Sequence, residues 1–329
     1  PLRGLSLEIG ASMSAFGRHV IKLSGFAPAL PTPFDETGRL DDDAFAAFCD
    51  RQLDEGASAL VVADTMGEAP TLTSAEHTEL VRIARDVSRG RVPVIAGCGL
   101  NSTEHAVELT RKAEIFGADA ILSVVPYYNK PMQAGLYEHF RTIAQATGLP
   151  VFLHDEPARS VCGLSDETVA RLAELPHIIG LKDGTGDVTR PCRLRPLVGD
   201  DFRLLTGDDA TALGYLSQGG DGCISVTSNV APGLCRAMFL AHRQGQISRA
   251  QRLAVQAGRL TAALLGEPTP APLKHALSTL GWMAPDLRLP MVPASEAVRT
   301  QLDAVIEQSC VEYSAAMIGR RLSFGHEPR

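Results

Sequence analysis

A chain of 329 residues with 45% apolar side chains is long enough for one barrel-sized domain and a modest addition. Its formal net charge of -7 argues against a nucleic-acid or anionic-membrane surface, since neither gains from an acidic partner. No apolar run approaches the roughly 20 residues of a membrane span, and the first residues lack the apolar centre and cleavage site of a signal peptide, so a cytoplasmic protein working on small molecules is expected.

Residues 1–23 carry neither periodicity nor caps and are read as a loose leader, with Met13 a candidate natural start. From residue 25 onward, short apolar runs alternate with helical patterns, as in a parallel sheet built from βα units. Eight runs are predicted as strands: Phe26 to Leu30, Ala59 to Ala63, Val92 to Gly97, Ala120 to Val125, Pro150 to His154, Ile178 to Lys182, Arg203 to Gly207 and Gly222 to Val226. Amphipathic stretches such as Asp41 to Glu55 and Ser74 to Ser88 are predicted helices, each opened by a capping residue. The pattern predicts an α/β fold, a closed (β/α)8 TIM barrel over residues 24–245. An open doubly wound sheet competes, but Pro31-Thr32-Pro33-Phe34 stands where its glycine-rich fingerprint would be. Residues 246–329 are predicted as a C-terminal helical region, polar and frayed from Arg320. The seven cysteines are scattered and without C-x-x-C spacing, so they read as small buried hydrophobes and not as a disulfide framework or a zinc site.

Barrel chemistry gathers at the C-terminal strand ends. The sixth run, Ile178-Ile179-Gly180-Leu181-Lys182, delivers a lysine and breaks into glycines. Lys22 precedes the first strand, Lys112 lies on a polar helix face, Lys130 in a turn and Lys274 in a helical stretch; only Lys182 closes a buried apolar run. Desolvation lowers a lysine pKa and makes a nucleophile toward a carbonyl; the plainer reading is a lysine snorkelling to a surface carboxylate. Strand two ends in Asp64-Thr65-Met66-Gly67-Glu68, with a hydroxyl and backbone N–H groups that suit a carboxylate. Strand four ends in Tyr127 and Tyr128, strand five in His154-Asp155-Glu156-Pro157-Ala158-Arg159, and strand seven in Gly207-Asp208-Asp209. An amine, proton-shuttling groups and carboxylate donors are what imine chemistry on a keto acid requires.

The motifs T-M-G-E at 65–68, V-P-Y-Y-N-K-P at 125–131, P-A-R at 157–159, G-L-K-D-G-T-G at 180–186, L-L-T-G-D-D at 204–209, G-C-I-S-V-T-S-N at 222–229 and L-R-L-P-M-V-P at 287–293 keep order and spacing. Together they resemble the dihydrodipicolinate synthase and N-acetylneuraminate lyase family over about residues 25 to 300. The resemblance implies a (β/α)8 barrel with a C-terminal helical region, usually tetrameric as a dimer of dimers, that joins pyruvate to a lysine without metal or organic cofactor. It assigns imine formation to Lys182 and a proton relay to Thr65. Tyr128 would be a phenol reaching the neighbouring subunit's site. Arg159 would hold the second substrate's carboxylate, with a surface ion pair to Asp155 or Glu156 as its plainer role. Met66, Gly67, Gly207 and Ile224 occupy substrate-contacting positions. Asp208 and Asp209 read as caps of the next helix.

Two departures fall on residues close to the chemistry. Met66 stands where the synthases carry a second threonine, and His154 replaces a proton-shuttling tyrosine. Imidazole and phenol differ by roughly three units as acids, yet a histidine can still pass a proton if its ring reaches the same atoms; the alternative is a core histidine. Asp155 replaces an asparagine and Glu156 adds a further negative charge near the mouth, which alters the second substrate that would be welcome. The place where many synthases bind lysine has Tyr127, His77 and Asn101 in matching positions, but Ala69 and His105 where a serine and a glutamate are usual, so weak or absent lysine inhibition is expected.

The leading reading is a pyruvate-dependent class I lyase or synthase most like 4-hydroxy-tetrahydrodipicolinate synthase, condensing pyruvate with aspartate semialdehyde. A family member acting on a sugar-derived keto acid is the nearest rival. A keto-acid-binding regulatory protein without turnover, or a phosphate-binding barrel using Gly184-Thr185-Gly186, would be of another class.

Overall fold

The computed structural model describes residues 21 and 23–308; Lys22, Cys310, the polar tail and most of the leader lie outside them. Eight parallel strands form one sheet: β1 (Gly25–Pro28), β2 (Leu60–Val62), β3 (Val94–Gly97), β4 (Ala120–Val124), β5 (Val151–Asp155), β6 (Ile178–Asp183), β7 (Arg203–Thr206) and β8 (Gly222–Ser225). From β2 to β8 each strand pairs with the next in sequence, and β1 pairs with β8, Gly25 against Gly222. The last gap, between β1 and β2, is bridged where Ala29 lies beside Val61 and the Leu30 N–H donates to the Val61 carbonyl at 2.9 Å. The expected barrel is present, with strand ends that differ from the sequence reading by one or two residues. β6 runs one residue further, through Asp183, a charged side chain that apolar patterning alone would place in a loop.

Eleven helices are named: α1 (Asp42–Asp54), α2 (Ser74–Ser88), α3 (Thr103–Ile115), α4 (Gln133–Gln145), α5 (Pro157–Ser160), α6 (Asp166–Ala173), α7 (Arg190–Val198), α8 (Ala212–Ser217), α9 (Pro232–Arg243), α10 (Ile247–Leu264) and α11 (Ala271–Thr279). Residues 296–308 are also helical. α2 is set by a capping box in which the Thr73 side chain and Glu76 satisfy each other's backbone N–H groups, and α1 by Asp41, whose carboxylate accepts from the Ala44 N–H at 3.0 Å. Their apolar faces, Phe45 and Phe48 on α1 and Leu80, Val81 and Ala84 on α2, pack on the barrel wall. α10 and α11 follow the barrel and return to it through Leu264, Leu273 and Leu277. Among the described residues no helix is long and apolar enough to cross a membrane. The described cysteines are free, but Cys192 is exposed and Cys162 half-buried, so the reading of all seven as buried hydrophobes fails for these two.

His139 sits between α3 and α4, buried, with Nδ1 2.8 Å from the Thr103 hydroxyl and Nε2 without a hydrogen-bond partner among the described residues. Burial pushes its pKa down to about 4. An unfolded imidazole takes its proton near 6.5, so between those values the unfolded chain binds more protons and stability falls as pH falls. Thermal unfolding followed from pH 7 to pH 4 is expected to show this loss, on the order of 3 kcal/mol from the one residue. His139→Gln should remove that part of the acid sensitivity.

Candidate functional site

The β5–β6 register sets the site. His154 lies beside Lys182, and one step on Asp155 lies beside Asp183. Successive strand residues face opposite ways, so one pair points into the barrel and the other outward to the helices. Inside, Lys182 donates from Nζ to Asp64 Oδ2 at 2.6 Å. Asp64 follows β2, and its other oxygen is 3.4 Å from His154 Nδ1. The far ring nitrogen, Nε2, is 3.8 Å from Glu156 Oε2. Lys182, Asp64 and His154 are 5%, 7% and 1% exposed, so a group of opposed charges lies at the barrel mouth almost out of water. Burial alone would raise the Asp64 carboxyl, but the lysine and histidine beside it outweigh burial and hold it below the usual carboxylate range. Neither nitrogen of His154 has a hydrogen-bond partner among the described residues.

Two glycines make room. A Cβ at Gly207 would approach Lys182 Cε at 3.0 Å, and one at Gly184 would run into the Glu156 carboxylate. Ile224 on β8 and Met66 are buried in the core cluster. The Gly67 carbonyl accepts from the Thr32 hydroxyl at 2.7 Å, which pins the loop after β2. Thr65 is half-buried on that loop, and its hydroxyl makes no hydrogen bond among the described residues. Arg159 on α5 is exposed and donates to the Thr269 hydroxyl at 2.7 Å. No ion pair joins it to Asp155 or Glu156 among the described residues, so its plainer role is not the one present. Tyr128 is 90% exposed and held at φ 71°, a left-handed conformation unfavourable to a bulky side chain.

On the outer face Arg190, at the start of α7, clasps both strand ends. Its Nη1 is 2.8 Å from Asp155 and 3.2 Å from Asp183, and Nη2 donates to the Leu164 carbonyl at 2.7 Å. The charge of Asp155 is therefore turned away from the mouth and neutralised, contrary to the expectation that it would bear on the substrate. Asp208 does order the turn into α8, accepting from the Ala210 N–H at 3.0 Å and the Thr211 hydroxyl at 2.8 Å. Asp209 does not cap α8. It crosses to the end of β8 and accepts from Ser225 Oγ and from the Val226 and Thr227 N–H groups, tying β7 to β8.

Lys182 is not the only buried lysine. Lys274 on α11 is fully buried, with Nζ 2.6 Å from Glu68, donating to the Asp286 carbonyl and lying 4.2 Å from the Phe34 ring centre. Burial pulls its pKa down and Glu68 opposes this. Its helical setting hid it from strand-based reasoning. Sequence patterning does not single out Asp64 or Arg190 either: one stands beside the more suggestive hydroxyl of Thr65, and the other is seven residues beyond Asp183 on the next helix. Among the described residues no group of three or more His, Cys, Asp or Glu side chains is placed to hold a metal ion.

Residues 22–309 match the profile of the Dihydrodipicolinate synthetase family. A curated relative, the 4-hydroxy-tetrahydrodipicolinate synthase of Hyphomonas neptunium, is 48% identical over 284 residues, covering 86% of this chain and 97% of that protein. Among solved structures, a dihydrodipicolinate synthase of Bacillus anthracis superposes with a TM-score of 0.85 at 40% identity, covering 86% of this chain and 97% of its own. The chloride-inhibited dihydrodipicolinate synthase of Acinetobacter baumannii, solved in complex with pyruvate, gives 0.84 at 38% identity, over 86% and 98%.

Proposed function

Because the chain belongs to the dihydrodipicolinate synthetase family, we propose that it is a lyase of the 4-hydroxy-tetrahydrodipicolinate synthase type, which joins pyruvate to Lys182 and condenses it with aspartate semialdehyde. The observation that carries this reading is one amine at the C-terminal end of a barrel strand, almost dry, held at 2.6 Å by a carboxylate. In the proposed course the Lys182 amine forms an imine with the ketone, and loss of a methyl proton gives the enamine. The enamine then attacks an aldehyde, and the product leaves by hydrolysis or transimination. The protonated imine is the electron sink, so the reaction calls on no metal or organic cofactor. The ketone carboxylate lies against the backbone of Met66 and Gly67, with Gly207 and Ile224 shaping the wall. Thr65 and His154 pass protons. Tyr128 reaches a neighbouring copy, which its exposure permits, in a homo-oligomer built as a dimer of dimers in the cytoplasm.

The test is pyruvate-dependent consumption of aspartate semialdehyde coupled to the next reductase. Turnover at a biosynthetic rate supports the proposal. No turnover while borohydride still traps pyruvate would point to a different aldehyde, or to a binding protein without turnover. Arg159 has a narrower consequence. A charge-assisted contact to the second substrate's carboxylate contributes about 1.5–3 kcal/mol, so Arg159→Ala should raise KM for the semialdehyde by roughly 10- to 100-fold while pyruvate trapping is unchanged. Lysine should inhibit weakly or not at all. His105 is exposed at the start of α3, and His77 is buried with Nε2 2.8 Å from the Gly97 carbonyl. Steady-state rates across a lysine titration check this, and inhibition as tight as in sensitive synthases would contradict it.

A further inference from the structure

We infer that Asp64 is the acid–base catalyst of imine formation, taking the proton that Lys182 must lose, and that His154 passes protons between Asp64 and the bound ketone. This rests on Lys182 being the imine-forming residue. Four features converge. The Asp64 carboxylate is the group in hydrogen-bond contact with the reacting nitrogen, at 2.6 Å. The residue that delivers it, Ala63, is held at φ 52°, a left-handed conformation that costs a non-glycine residue energy and is retained where geometry matters. His154 is buried with both ring nitrogens unpartnered among the described residues, which a merely structural histidine would avoid. Its ring lies between Asp64 at 3.4 Å and Glu156 at 3.8 Å, so one nitrogen faces the carboxylate and the other a second acidic group. Thr65, the other relay residue, makes no hydrogen bond to Lys182 among the described residues, so the proton of the ammonium goes first to Asp64 and not to the Thr65 hydroxyl. A buried ion pair kept only for stability is a poor use of a strand end, since desolvation of two charges consumes most of their attraction.

The steps balance. A proton leaves the Lys182 ammonium for Asp64 Oδ2, and the freed nitrogen lone pair forms a bond to the ketone carbon while the carbonyl electrons move to oxygen. A second proton passes from nitrogen to that alkoxide through His154. Asp64 returns its proton to the resulting hydroxyl, which departs as water, and the nitrogen keeps one proton in the iminium. The ammonium's three protons end as two in water and one on the imine.

The experiment uses pyruvate alone and the full chain, and measures deuterium exchange into the pyruvate methyl group by NMR together with the rate of borohydride trapping. General acid–base groups contribute about 100- to 10,000-fold. Asp64→Asn is expected to slow both readouts by at least 100-fold while the thermal midpoint still reports a folded chain. Asp64→Ala is expected to be as slow and to regain at least tenfold with added formate, a carboxylate small enough for the vacated space. His154→Gln leaves the Lys182–Asp64 pair intact and provides an arm independent of Asp64 folding defects; it is expected to slow trapping and exchange together, because exchange can only follow the imine whose formation His154 assists. Asp64→Asn within threefold of wild type, no formate effect on Asp64→Ala, or wild-type exchange in His154→Gln would each overturn the inference. Failure of the wild-type chain to trap or exchange pyruvate would instead sink the proposed function beneath it.

Discussion

Lys182→Ala is expected to remove condensation activity by at least about four orders of magnitude, because the covalent step has no substitute nucleophile. Lys112 is half-buried on a helix with its nitrogen 2.6 Å from Glu108, and Lys130 lies exposed in a loop. Lys274 is buried, but its nitrogen is held by Glu68 and the Asp286 carbonyl against the Phe34 ring. The same substitution strips Asp64 of the cation that holds its carboxyl low, so burial will push that carboxyl up and some stability will be lost. Lys182→Arg separates the two effects. It keeps a positive charge for Asp64, cannot form an imine, and should be as inactive as the alanine variant while melting closer to wild type. Initial rates with pyruvate and aspartate semialdehyde, beside melting curves, check both. Activity of either variant within a hundredfold of wild type would exclude Lys182 as the nucleophile.

Arg190→Met is expected to cost about 3–5 kcal/mol of stability, the range found when one partner of a buried ion pair is deleted. Arg190, Asp155 and Asp183 are all buried, and the arginine neutralises two carboxylates that end adjacent strands. Burial already pushes Asp155 up against the pull of the arginine, so in the variant this carboxyl takes a proton at higher pH and relieves part of the cost. The thermal midpoint should fall by on the order of 10 °C. Activity should fall as well, because the strained ends of β5 and β6 also carry His154 and Lys182. Asp155→Asn placed on the Arg190→Met background should recover part of the loss, since it removes one of the stranded charges. A fall of less than about 1 kcal/mol would mean that the clasp is ornamental.

Much of this architecture is legible in the residues. The strands announce themselves because each is buried on both faces and so reads as an unbroken apolar run, and Ser74 to Ser88 begins and ends as its capping box and periodicity require. Lys182 is legible for the same reason, as a charge at the close of such a run. What patterning cannot supply is which strand-end side chains meet. Asp64 and Lys182 are 118 positions apart, and only barrel closure brings them together. Asp64 reads locally as a turn residue beside a hydroxyl. Asp155 reads as a mouth charge until the two-residue period of the strand and the reach of Arg190 from the next helix turn it outward beside Asp183. Lys274 was hidden because a lysine among helical residues is ordinarily solvated, and its burial depends on Phe34 and Glu68 from far earlier in the chain. Asp209 reads as a helix cap but is not one, because the N–H groups nearest in space belong to the loop after β8, not to the helix nearest in sequence.

The central claim is a covalent bond between pyruvate and Lys182, and the most direct test is borohydride reduction of the wild-type chain in the presence of pyruvate, followed by intact mass and tryptic mapping. The expected result is a mass gain of one reduced pyruvate per chain, with cleavage after residue 182 lost and the label carried by the peptide spanning residues 172–193. An unmodified chain, or a label located on Lys274 or a surface lysine, would contradict the account.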